Sequence, residues 1–332
     1  MNPLSACFAP VKTSVRLCRL VMVQCLFIGA IHAQTFPQKP LRMIVPSSPG
    51  GGSDIMGRFL AQKLSEHLGQ QVVVENRPGA SSMLGTDIAA KSQPDGHTLV
   101  IPPAAVAVNP SIFARMPYDT LRDLAPITLV ADSANVLVAH PSLPARGVKD
   151  VIALARAKPG SLAVASPGIS GTPHMAAELF KLMTSTNILI VVYKGSGPGS
   201  IALMSGEVPL QFSTPPSSLP YVRTGRMRAL GVTTKARVPS MPDVPTIAES
   251  GVQGYEATQW FGLFTTGGTP PAIVDRLHQE TARALRAADL RERMSAEGLQ
   301  PGGNAPDEFA AFLRAEMAKW SRVVKAAGIK PQ

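Results

Sequence analysis

The chain has 332 residues, 32 of them basic and 22 acidic, for a formal net charge of +10, and only 5% are aromatic. No block of five or six bases occurs, the stretch from Arg276 to Glu297 interleaves both signs as solvated helix faces do, and stacking aromatics are scarce; a nucleic-acid partner is therefore not expected. Cysteine chemistry is excluded from most of the chain, because Cys7, Cys18 and Cys25 all fall within the first 33 residues.

Residues 1–33 carry no acid and three bases, Lys12, Arg16 and Arg19, followed by an apolar run from Leu20 to Ile31. That layout predicts a secretory signal, and the run falls short of the ~20 residues that span a bilayer. Ala33 offers a small residue for cleavage before Gln34, although Ile31 is bulkier than usual at its position. A lipidation signal at Cys25 is poorly served by Met22, Val23 and Gln24. Without the three bases of this segment, 29 basic and 22 acidic residues remain, a net charge of +7. The remaining ~300 residues exceed one ordinary core and fit two domains. No later apolar run reaches transmembrane length, so a soluble exported product is expected.

From Leu41 onward short aliphatic runs, Gly/Pro/Ser turns and amphipathic helix patterns alternate, which predicts an α/β fold. Leu41 to Val45, Val72 to Glu75 and Thr98 to Ile101 read as strands. Ile55, Phe59, Leu60, Leu64 and Leu68 mark a helix, and Leu84 to Lys91 a shorter one. Ile127 to Ala139 is long enough to leave one sheet and enter another. Strand-like runs recur at Leu162 to Ala165, Ile188 to Tyr193, Val208 to Phe212 and Met227 to Thr233. Thr258 to Thr265 then returns the chain to the first domain. Ile273 to Leu285 and Phe309 to Val324 are the closing helices, with Pro271 and Pro306 at their starts. The expected division is residues 34–130 with 257–332 as one lobe and residues 131–256 as the other, joined by a two-strand hinge that permits closure on a ligand.

Three turns are rich in small residues, and ligands of α/β folds bind at the carboxyl ends of strands. The first, Val45 to Ile55, leaves backbone N–H groups uncovered at a helix start that attracts anions, with Ser53 or Asp54 as its cap. Its glycines fit neither a dinucleotide fingerprint nor a nucleotide P-loop, and no cofactor is expected. The second, Ala165 to Met175, places Thr172 as N-cap and Pro173 at the first helical position. Ser170 lacks the spacing of a nucleophile elbow, and no base can be assigned to it. The third, Tyr193 to Ser200, offers Lys194 as a counter-charge. His67, His97, His140, His174 and His278 lie far apart without paired ligand spacing, so no metal site is expected; only His174 sits on a candidate turn.

Together, VPSSPGGGSD, VVVENRPGA, PDGHTL, SGTPH, VYKGSGP, PSMPDVPTIAESG, WFGLF and GTPP resemble, in this order, the Bug-type periplasmic receptors of tripartite tricarboxylate transporters. The resemblance covers nearly all of the chain from Phe36. It implies a type II periplasmic-binding fold whose two lobes trap a small carboxylate, held by backbone amides and waters. It also implies membrane transporter subunits as partners, no catalysis and a monomer. The contacts it carries over are Ser48, Gly50, Gly51, Ser53 and Asp54, with Ser82 nearby, facing Ser170, Gly171 and Thr172; His174 is a further candidate. Ser47 stands where an aromatic is frequent, and Pro103, Ala104 and Ala105 replace a polar cluster. Near the end of Val208 to Phe212 an aspartate is common, where this chain has Gln211, Phe212, Ser213 and Thr214. Loss of that acid disfavours an amino-acid ligand, and Ser213 is included as a candidate contact. The competing readings are a sensor that presents its closed form to a membrane signalling partner, and a secreted α/β hydrolase.

Overall fold

The computed structural model describes residues 36–50, 52–193 and 196–331. The expected export signal, Gly51 and Lys194 lie outside the described residues.

The chain opens with three parallel strand-helix units. β1 (Leu41–Val45) leads into α1 (Gly52–Leu68), β2 (Val72–Asn76) into α2 (Met83–Ala90), and β3 (Thr98–Val100) into α3 (Ala105–Ile112). β4 (Leu124–Ser133) follows and runs almost directly into β5 (Val136–Ala139). Four helices and four strands then alternate: α4 (Val148–Ala157), β6 (Ala163–Ser166), α5 (Thr172–Thr184), β7 (Leu189–Val192), α6 (Ser196–Met204), β8 (Leu210–Ser213), α7 (Pro215–Arg223) and β9 (Arg228–Val232). The return strand β10 (Gln259–Thr266) is followed by α8 (Pro271–Arg286), α9 (Ala288–Ala296), β11 (Leu299–Pro301) and α10 (Pro306–Ala326).

Two sheets result, ordered β2-β1-β3-β10-β4-β11 and β7-β6-β8-β5-β9. Each holds one inserted strand that is antiparallel to both neighbours: β10 between β3 and β4, and β5 between β8 and β9. Each inserted strand follows a crossing between the sheets, so the two lobes share the same pattern and are joined by two passages. A buried knot of hydrogen bonds ties the passages together. Thr233 Oγ1 accepts from Asn135 N at 2.8 Å, Asn135 Nδ2 donates to Ala257 O at 3.1 Å, and Ala257 N donates to Thr233 O at 3.0 Å. These three bonds fix the register of the crossing, while Asn135 Oδ1 is buried without a hydrogen-bond partner among the described residues.

The strands form where buried aliphatic residues run together. Met43, Ile44 and Val45 are fully buried, as suits a parallel strand covered on both faces. α10 starts at Pro306, where a missing N–H costs nothing, and Glu308 Oε2 accepts the N–H of Ala305 at 3.1 Å. Its inward face places Phe309 against Trp260 and Phe264 of β10, with ring centroids 5.9 and 5.1 Å apart. In the second lobe Phe180 of α5 meets Phe212 and Tyr255 edge-on, each at 6.2 Å.

Two expected caps differ. Gly171, not Thr172, holds the cap position of α5: its carbonyl accepts from His174 N and Met175 N, while the Thr172 hydroxyl is engaged by Gln259 Oε1. α1 begins at Gly52, which puts Ser53 and Asp54 inside its first turn. α3, α4, α7, α9 and β11 have no named counterpart in the sequence expectations. α3 contains Pro110, which reads as a break, and β11 is only three residues ending in proline.

Candidate functional site

A cavity of about 370 Å³ lies along the carboxyl edges of both sheets. The first lobe contributes Ser47, Gly50, Gly52, Ser53 and Ile55 from the β1–α1 turn, Pro103 after β3, and Gln259 and Phe261 from β10. Ser133 at the end of β4 and Glu297 and Leu299 at the start of β11 extend this wall. The second lobe contributes Pro167 and Pro173 around the start of α5, Ser196 at the start of α6, and Thr214 and Ser217 at the start of α7.

Four helices of eight residues or more therefore begin at this one cavity, α1 from one lobe and α5, α6 and α7 from the other. All four bring the positive end of a helix dipole, a potential that favours an anion, and α1 and α6 also bring N–H groups of their first turns. α7 opens on Pro215 and Pro216, which have no N–H, and the N–H groups of Ser217 and Ser218 donate to Thr214 O, as those of His174 and Met175 in α5 donate to Gly171 O. No lysine or arginine stands among the described lining residues. Ser47 adds a buried hydroxyl oxygen that has no hydrogen-bond partner among the described residues, a group whose desolvation a ligand would offset.

Two close fits shape the first-lobe wall. Gly50 has φ +79°, a left-handed conformation that favours glycine, and its N–H donates to Asp54 Oδ2 at 2.9 Å. At Gly52 a Cβ would stand 2.6 Å from Cζ of Phe261, so the absence of a side chain lets the tip of the ring approach the helix start. Asp54 is 4% exposed and acts inside the turn instead of on the cavity wall. Burial opposes its ionisation, but hydrogen bonds from Arg58, Gly50 N–H and Asn76 outweigh that and hold its pKa below the usual carboxylate value. Asn76 Nδ2 also donates to Ser47 O at 3.0 Å, so Asp54 and Asn76 together fix both ends of the loop.

The remaining expected contacts separate into groups. Ser47, Gly50 and Ser53 line the cavity; Ser48 is exposed and does not. Ser82 stands at the start of α2, where its carbonyl accepts from Thr86, away from the lining. Ser170 and Gly171 lie in the β6–α5 turn without reaching the wall, while Thr172 reaches it indirectly through Gln259. Ser213 is buried behind the lining residue Thr214. His174 is 7% exposed, and burial holds its pKa below the usual imidazole value. Ser166 Oγ can donate only one proton; it gives that to Gly168 O at 2.8 Å, so His174 Nδ1, 3.1 Å away, is the donor to Ser166. The neutral imidazole thus braces the turn that carries Pro167. Neither Ser166 nor Ser170 lines the cavity, and no cluster of three or more metal-ligating side chains occurs among the described residues.

Ile55, Pro103, Ser133, Pro167, Pro173, Thr214, Ser217, Gln259, Phe261, Glu297 and Leu299 were not singled out as contacts by the sequence. Ser196 lay within the third small-residue turn, and Thr214 beside the departure at Gln211 to Ser213. Ile55 lay within the first small-residue turn and Pro167 and Pro173 within the second; Ser217 lies in the first turn of α7, and Pro103, Ser133, Gln259, Phe261, Glu297 and Leu299 come from strand ends and connections that meet only in the folded chain.

The model of the tripartite tricarboxylate transporter family receptor, TctC, matches residues 56–329. The chain is 37% identical over 324 residues to protein BugT of Bordetella pertussis, covering 95% of this chain and 99% of that one. Among solved structures it is similar to Rpa4515 of R. palustris with adipate, with a TM-score of 0.79 and 36% identity, covering 90% of this chain and 100% of the other. It is similar as well to MatC from Rhodopseudomonas palustris with bound malate, with a TM-score of 0.73 and 29% identity over 87% of this chain and 100% of the other.

Proposed function

The chain belongs to the tripartite tricarboxylate transporter receptor family, and on that premise we propose that it is a periplasmic solute-binding protein that captures a small carboxylate between its lobes and delivers it to a tripartite-type membrane transporter. The observation that carries this reading is the convergence of four helix starts on one interlobe cavity. Charge-assisted hydrogen bonds from such N–H groups contribute about 1.5 to 3 kcal/mol each. Several of them support micromolar binding, about −8 kcal/mol, after ordering costs. The adipate and malate held by similar proteins are consistent with this ligand class.

The body of the ligand is expected to be partly apolar and to lack an α-amino group. Pro103, Pro167, Pro173, Ile55 and Phe261 face the cavity, and the positive ends of the helices that favour a carboxylate disfavour an adjacent ammonium. Gln211 to Thr214 around the end of β8 offers no acid as partner for an ammonium, and Gln211 Oε1 accepts from Ser200 at 3.2 Å.

A thermal-shift screen of the purified exported protein against hexanoate, adipate, malate and glutamate tests the reading. Ligand at 100 times its dissociation constant stabilises the fold by about 2.7 kcal/mol, which raises Tm by roughly 2 °C or more at this size. Selective stabilisation by a non-amino carboxylate is the expected result; stabilisation by glutamate alone would reject the proposed ligand body, and none by any small carboxylate would reject the receptor reading.

A further inference from the structure

The two ends of the cavity differ in chemistry. β1, which leads into α1, and β11, which follows Glu297, stand four strands apart in the first sheet. At ~4.8 Å per strand their backbones are separated by about 19 Å. Because the cavity touches both Gly52 and Glu297, it runs along the sheet edge, from a helix start at one end to an acidic side chain at the other. Pro103, which follows β3, and Phe261 of β10 lie between them and form a bridge to each other.

Glu297 is the sole charged side chain among the described lining residues. It closes α9, its backbone N–H donating to Arg293 O and Met294 O, while its carboxylate makes no hydrogen bond or ion pair with any described residue. Its neighbour Ser133 is already committed, the hydroxyl donating to Gly298 O at 3.1 Å. An acid with free acceptor oxygens in a partly desolvated cleft repels a second anion and accepts a hydrogen bond from a donor.

We propose that Glu297 is the specificity-determining residue at the far pole of the site, selecting a ligand with a carboxylate at one end and a hydrogen-bond donor, such as a hydroxyl, at the other, and rejecting dicarboxylates. This rests on the carboxylate reading above. A chain of methylenes between the poles suits the apolar middle of the cavity, so the class is an ω-hydroxy acid. Discrimination of this kind combines an attraction for the right ligand with a built-in penalty for the wrong one.

Calorimetric titration of hexanoate, 6-hydroxyhexanoate and adipate into the protein and into its Glu297→Gln variant tests the assignment. Glu297 bonds to no other described side chain, so the variant is expected to fold, and its melting temperature without ligand checks this. In the unaltered protein 6-hydroxyhexanoate should bind about tenfold tighter than adipate. In Glu297→Gln adipate should gain about tenfold and the preference should shrink or reverse. Equal adipate affinity in the two proteins would overturn the role of Glu297 while leaving the carboxylate reading intact. Failure of all three acids to bind either protein would overturn both.

Discussion

At the scale of single residues, charge placement divides between groups that build the site and groups that strain the fold. Asp54 is an acid at a helix start, and its carboxylate is consumed by Gly50 N–H, Arg58 and Asn76, so it shapes the loop while the Arg58 guanidinium offsets its charge. Asp132 on β4 is the opposite case: burial, with a contribution from the nearby Glu256, pushes its pKa up to about 6. A raised carboxyl pKa favours the folded state while protonated, so this contribution is fully present below the unfolded value near 3.8 and is lost as pH rises through about 6. Asp132→Asn should therefore stabilise the protein at pH 7.5 by about 1 to 2 kcal/mol, after allowance for solvent screening, and change little at pH 4. Thermal melts of both proteins across that range check this; an equal difference at both pH values would reject it. The sequence singled out Ser47, Gly50 and Ser53, which the structure places on the cavity wall, because small residues at a strand end are visible locally. It did not show that Asp54 turns inward, because that depends on Asn76, which arrives from another strand.

At the scale of elements, the return strand and the last helix are joined by one buried acceptor. Trp260 Nε1 of β10 and Trp320 Nε1 of α10 both donate to Glu316 Oε2, at 3.1 and 2.9 Å, and Lys319 pairs with the other oxygen. This bond holds the strand that presents Gln259 and Phe261 to the cavity. Glu316→Ala would strand two buried indole N–H groups and should cost about 2 to 4 kcal/mol in denaturant unfolding; a loss below about 0.5 kcal/mol would show that the network is dispensable. Strands such as β1 were legible because Met43, Ile44 and Val45 form an unbroken aliphatic run, and α10 because its apolar residues recur at helical spacing. α3 was hidden by Pro110, β11 by its length, and the cap of α5 by the pull of Gln259 on Thr172, a contact between segments 87 residues apart.

For the whole molecule, the two crossings decide both shape and site. Because β5 and β10 are each inserted antiparallel into a sheet after the chain has crossed, the carboxyl edges of both sheets face one cavity, and helices from both lobes start there. The alternation of strands and helices, with two long apolar runs as crossings, made that architecture readable. The far wall was not readable, since Glu297 and Leu299 reach the cavity only through the pairing of Leu299 with Ser133. The account stands on the claim that uncovered helix N–H groups hold a negative charge, and the most direct measurement is a calorimetric comparison of hexanoate with hexanamide. The two share shape and apolar body and differ in charge. The account predicts that the acid binds at least about tenfold tighter, with the advantage retained in high salt because the site is partly desolvated. Equal affinity for acid and amide would contradict it.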